Sequence, residues 1–74
     1  MYKIQSVLFD KQFFTKEDAV DWCIEYGHLY DKIDSFLHYF RVRQIDAEIL
    51  EMSGYSVFRT LVVKTGLKFV LAYN

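Results

Sequence analysis

An α+β fold, with one helix laid across one face of an antiparallel sheet, is what three features of this 74-residue chain predict. The first is one well-bounded amphipathic helical segment. The second is a series of short β-branched and aromatic runs whose side chains alternate in character. The third is a set of three isolated glycines that punctuate the chain rather than cluster. A chain of this length makes one domain, residues 1–74. It buries only about 60–65% of its unfolded surface, so the core must be dense or shared with a partner.

The elements follow in order. Residues 2–9 alternate loosely and read as a first strand. Thr15-Lys-Glu-Asp18 supplies a hydroxyl N-cap with an acid three residues on, a capping box with Asp in place of the usual Glu. Ala19, Val20, Trp22, Cys23, Ile24 and Tyr26 recur at helical spacing, while Lys16, Glu17, Asp21 and Glu25 fall on the solvent side. Gly27 sits where a helix ends in a left-handed residue. The helix is therefore expected over 15–26, with Trp22 on the face that meets the sheet.

The stretch Ser35-Phe-Leu-His-Tyr-Phe-Arg-Val-Arg-Gln44 is the longest β-like run and holds two of the three arginines. It reads as the central strand, with Phe36, His38, Phe40 and Val42 on one face and Leu37, Tyr39, Arg41 and Arg43 on the other. Residues 46–54 predict a short helical turn over 46–53, capped by Asp46 and closed by Gly54, with a long hairpin loop as the competing reading. Strands over 57–63 and 67–73 flank a tight turn at Lys64-Thr-Gly66. The expected order is β-α-β-β-β with the turn after the second strand.

Hydrophobic residues make up 53% of the chain and aromatics 19%, the opposite of a disordered composition. One cysteine forms no internal disulfide, which suits a reducing compartment. No apolar run approaches the roughly 20 residues of a membrane helix, and the first ten residues lack the pattern of a signal peptide. A soluble intracellular protein with no membrane partner is expected. Net charge is −1 but unevenly spread. Residues 10–34 carry seven acids against three bases, and residues 35–74 carry three against five. That balance lies far from a dedicated nucleic-acid binder.

The chemistry-bearing side chains are few. Cys23 lies mid-helix on the apolar side, where an inert buried thiol is the ordinary outcome. His38 shares its predicted strand face with Phe36 and Phe40 and reads as a core or rim histidine. His28, after the helix-ending glycine, is expected to be exposed or capping. Asp31 and Asp34 are read as turn formers rather than an acid–base pair. No metal-ligand spacing and no glycine-rich phosphate loop exists, so no enzyme activity, no cofactor and no metal is expected.

Surfaces say more. Phe58, Thr60 and Val62 line one side of their strand, and Val57, Leu61 and Val63 line the other with Arg59. The last strand gives Leu67, Phe69, Leu71 and Tyr73 to one face and Lys68, Val70 and Ala72 to the other. One helix hides one face, so apolar surface is expected to remain open and to mark an interface. The partner-binding residues expected there are Tyr39, Arg41, Arg43, Arg59, Val57 and Leu61, since Tyr and Arg enrichment marks interface hot spots. A two-fold dimer burying the patch is the favoured closed solution, with another protein as the other partner. The alternative is a nucleic-acid binder in which Tyr39, Arg41, Arg43 and Arg59 stack bases and grip phosphates.

The motifs are also familiar in series. Phe14-Thr-Lys-Glu17 with Ala19, Trp22 with Gly27, Lys32-Ile-Asp34, Tyr39-Phe-Arg-Val-Arg-Gln44, Phe58-Arg-Thr60 and Gly66-Leu-Lys-Phe-Val-Leu71 occur in that order. The pattern resembles a short domain that recurs in proteins of tailed bacteriophages and other large double-stranded DNA viruses. It covers roughly residues 9–72. Where that pattern places Asp-Pro after Arg-x-Arg-Gln, this chain has Ile45-Asp-Ala47, so the loop leaving that strand is expected to differ. The resemblance implies a viral protein acting in the virion or the host cytoplasm, through virion assembly or a host factor, and carries no activity.

Overall fold

The computed structural model of the chain describes all 74 residues. Its strands are β1 (Tyr2–Asp10), β2 (Ile33–Ser35), β3 (Tyr39–Arg43), β4 (Val57–Lys64) and β5 (Leu67–Tyr73). Helix α1 (Lys16–Glu25) follows β1, and helix α2 (Ala47–Met52) follows β3. The strands form one sheet in the order β2-β3-β1-β5-β4, and every neighbouring pair is antiparallel. The α+β architecture is therefore as the sequence predicts, with one strand and one helix more than the minimum expected.

The centre of the sheet is β1, not the 35–44 run. That run breaks after Ser35, and β2 and β3 fold on each other as a hairpin in which Ser35 lies opposite Phe40. The Phe36 amide donates to the Tyr39 carbonyl at 2.9 Å, which closes the turn. Phe36, Leu37 and His38 consequently leave the sheet and stand exposed, so His38 is not a core residue. Val42 and Phe40 do take the inner face expected of them.

Strand β1 earns its central place through a β-bulge. The register against β5 slips between Ile4 and Ser6, leaving Gln5 as the extra residue. The carbonyl of Gln5 accepts from both the Gln44 and Ile45 amides, and its side-chain Nε2 donates to the Ile45 carbonyl at 3.1 Å. A buried glutamine is thus supplied with partners, and the chain leaving β3 is tied back to the middle of the sheet.

Helix α1 begins at a true capping box. The Asp18 amide donates to Thr15 Oγ1 at 3.1 Å and the Thr15 amide donates to Asp18 Oδ2 at 2.9 Å. It ends in a Schellman arrangement around Gly27, at φ +76°. There the His28 amide reaches the Cys23 carbonyl at 2.8 Å and the Gly27 amide reaches the Ile24 carbonyl. The helix buries Ala19 and Cys23 against Val7, Phe9, Val42 and Leu67. Trp22 meets the sheet as expected but only half-buried, edge-on to Phe9 and Phe69 with the His28 ring stacked 5.3 Å away. Ile24 and Tyr26, assigned to the apolar stripe by spacing, are exposed because they lie past the rim of the sheet-facing side.

Helix α2 lies on the opposite face, which settles the 46–54 segment as helical rather than a hairpin loop. Leu50 and the following Tyr55 pack with Ala72 of β5 and with Ile45. Its N-cap position is Asp46, yet that carboxylate makes no cap hydrogen bond. It is drawn instead to Lys32 and Arg43.

Candidate functional site

The two edges of the sheet are built differently. At one edge lies β2, only three residues long, and its Asp34 is the hub of a charged corner. Asp34 Oδ2 takes Arg41 Nη2 at 2.9 Å and Arg43 Nε at 3.4 Å. Asp46 takes Arg43 Nη1 at 3.4 Å and Lys32 Nζ at 3.6 Å. Three cations thus surround two carboxylates, and Glu48 lines the same shallow hollow. The Tyr39 ring is stacked on Phe36 with centroids 4.9 Å apart, and the Arg41 guanidinium lies over the Phe36 ring at 5.1 Å. Gln44 completes the corner. Its side-chain amide both accepts from and donates to the Leu29 backbone at 2.8 Å, holding the α1–β2 loop against β3.

At the other edge lies β4, eight residues long and exposed at every position. Its apolar side chains, Val57, Phe58, Leu61, Val62 and Val63, are 37–65% exposed. Its inner flank pairs with β5, from Val57 opposite Tyr73 to Lys64 opposite Leu67. Its outer flank has no strand beside it. Alternate N–H and C=O groups of such an edge point outward and remain available for pairing.

This geometry corrects the predicted binding face. Arg41 lies opposite Leu8, and Arg43 opposite Ser6, on the side of the sheet away from α1. Leu61 lies opposite Phe69, which packs beneath Trp22, so Val57, Arg59 and Leu61 belong to the α1 side. Strands β1 and β5 stand between β3 and β4, a separation of about 14 Å. Arg59 therefore does not join the β3 arginines. The sequence reading placed these strands side by side because it took 35–44 as one central strand adjacent to 57–63. Val57 and Leu61 are open for a different reason as well. No helix sits on the wrong side of them; α1 covers β1, β3 and the start of β5 and stops short of β4.

The cations near β4 are placed unlike those of the charged corner. Arg59, Lys64 and Lys68 form no ion pair, and residues 53–74 contain no Asp or Glu. The absence of acids from this stretch is a signal the sequence alone carries. Near the turn, Val63 and Lys64 face Trp22, Tyr26, His28 and Phe69 across a shallow groove. On the opposite side, Thr60 and Lys68 border an open depression floored by Leu8 and closed by His38 and Tyr39.

The remaining chemical candidates are quickly placed. Burial raises the Cys23 thiol from its ordinary 9.0 to about 11, by desolvation of the thiolate. No three of the His, Cys, Asp and Glu side chains converge as a metal site would require. The raised thiol predicts a pH effect with a definite sign. An unfolded thiol ionises near 9 while the folded one stays protonated, so this group's contribution is full below 9 and is lost as pH rises through 11. Two pKa units correspond to about 2–3 kcal/mol. Chemical-denaturation midpoints of the native protein and Cys23→Ala, compared at pH 8 and at pH 11, should show the native protein losing that much more. Parallel losses would mean that Cys23 is hydrated in the folded state.

Comparison with known proteins returned no match: no protein family fits the chain, and no curated protein and no solved structure resembles it closely enough to count as a relative. The viral resemblance accordingly rests on the sequence motifs. No helix is long and apolar enough to cross a membrane.

Proposed function

We propose that this chain is a protein-interaction module that takes a strand of another polypeptide onto β4, the viral setting being the one its motifs imply. One observation carries the reading: an eight-residue apolar edge strand stands open at every position, while the opposite edge is short and charged. Small proteins ordinarily blunt such edges, because unpaired backbone and exposed aliphatics recruit other strands. Strand addition takes its affinity from main-chain hydrogen bonds and its selectivity from alternate side chains. The nucleic-acid reading draws on Tyr39, Arg41 and Arg43, whose guanidiniums already hold carboxylates and whose ring is already stacked. A phosphate would have to displace those partners.

Panning a display library of short unconstrained peptides against the native protein tests this. Selected peptides should slow amide exchange at residues 57–64, and the paired substitutions Leu61→Asn and Val62→Asn, which remove the exposed aliphatic contacts without adding charge, should abolish their binding without unfolding the domain. Peptides that protect 39–43 instead, or a salt-sensitive gel shift with single-stranded oligonucleotides, would overturn it.

A further inference from the structure

We infer that the strand accepted by β4 is an acidic one, an extended segment in which carboxylates alternate with aliphatic residues, supplied by a different protein. The inference rests on the strand-addition reading above and adds the chemistry of the partner. Its basis is the charge of the edge. The β4–β5 hairpin carries Arg59, Lys64 and Lys68, no carboxylate, and no ion pair. The carboxylate that shares a depression with Lys68 is Asp10, and its Oδ1 is engaged by the Gln12 amide at 2.8 Å. The other two arginines are matched with carboxylates, and although Lys3, Lys11 and Lys16 also form no ion pair, the hairpin is the stretch where three such cations stand with no acid among them.

The placement is suited to reading an alternating segment. Arg59 stands on the α1 side of β4 between Val57 and Leu61, where a residue directly across on an added strand comes within about 5 Å. Lys64 ends the strand beside the turn. Lys68 lies opposite Val62 on the other side, one strand further in. It sits within about one screening length of an added strand at physiological salt. On an alternating segment the acids and aliphatics fall on opposite sides: the acids would line the α1 side, across from Arg59 and Lys64, and the aliphatic residues the other side, across from Phe58, Thr60 and Val62, with Lys68 attracting the acids at longer range.

A second copy of this chain fits less well. Pairing β4 with β4 would bring two sets of these three cations together with no acid in either hairpin. Like charges across a ladder are unfavourable, and basic side chains on an edge are a recognised deterrent to self-pairing. The acids of α1 are exposed to solvent and none belongs to the hairpin that would form the ladder. The same cations that discourage a second copy select a carboxylate-bearing segment.

Two synthetic peptides decide the matter, one alternating Glu and Val and one alternating Lys and Val, with binding read by fluorescence anisotropy and the site by amide exchange. The acidic peptide should bind about ten-fold or more tightly at low salt, protect residues 57–64, and lose this advantage as salt is raised. The variant Arg59→Glu with Lys64→Glu and Lys68→Glu should reverse the preference. The milder Arg59→Gln with Lys64→Gln should erase it, and a retained melting temperature confirms that both variants fold. Equal binding of the two peptides at β4 would overturn the acidic partner and leave strand addition standing. Protection of β4 by the protein alone at high concentration, with a dimer in light scattering, would replace the foreign segment by a second copy. Protection of β4 under none of these conditions would overturn both readings.

Discussion

Phe9→Ala is expected to leave the domain largely unfolded. Phe9 is fully buried near the end of the central strand, with the Phe14 ring edge-on at 5.1 Å and the Trp22 ring at 5.8 Å. It also lies between Phe40 of β3 and Leu67 of β5 in the ladder. Truncating a buried phenylalanine costs about 3–5 kcal/mol, from lost transfer free energy and the cavity left behind. A domain of this size has only about 5 kcal/mol or so to lose. Circular dichroism melts and the Trp22 emission spectrum report the result. The melting midpoint should fall below ambient temperature, and the indole should emit as if in water. A variant that melts within a few degrees of the native protein would show that the helix and neighbouring rings collapse into the space.

The second large effect is expected at Leu50→Ala, and it should be local. Leu50 is 2% exposed and is the residue by which α2 holds the second face, with Tyr55 and Ala72. Removing a buried leucine costs about 2–5 kcal/mol. A helix of six residues has no stability of its own, since nucleation is unfavourable and few bonds follow it. Amide exchange should therefore speed up at residues 47–55 while the amides of β1 keep their protection, as a separately opening unit would behave. A hydrophobic dye should then bind where Ala72 has been uncovered. Uniform loss of protection across all strands would instead place α2 in the same cooperative unit as the main core.

The helix, its cap, its terminating glycine and the β4–β5 hairpin were legible because each is written in local chemistry. Thr15 and Asp18 make a cap within four residues, and Thr65-Gly66 fits a two-residue turn. The β2–β3 hairpin was not legible. Its turn is Phe36-Leu37-His38, with no glycine, proline or asparagine to announce it, and the alternation of 35–44 continues straight through. Strand β1 was under-read for the opposite reason. Gln5 and Ser6 interrupt its apolar pattern; the bulge gives the buried Gln5 its partners, while the Ser6 hydroxyl is buried without one. The candidate site depended on those two errors. With β1 placed at the centre, β3 and β4 move to opposite halves of the sheet. The six residues expected to act together then divide into a charged corner whose arginines are paired with carboxylates inside it and an open strand.

If β4 takes a partner's strand as proposed, the difference between the two edges would also set how many neighbours this domain can have. A sheet that accepts strands on both sides propagates, and repeated addition gives a fibre. Here the far side ends in Ile33-Asp34-Ser35, whose carboxylate turns back onto Arg41 and Arg43. Under the strand-addition proposal the domain would have a valence of one: joined to a partner's strand at β4, it would present only the short, charged β2 edge to the next subunit. In an assembly built from many copies of a partner, such a domain decorates or terminates, and its stoichiometry is set by the number of strands presented to it.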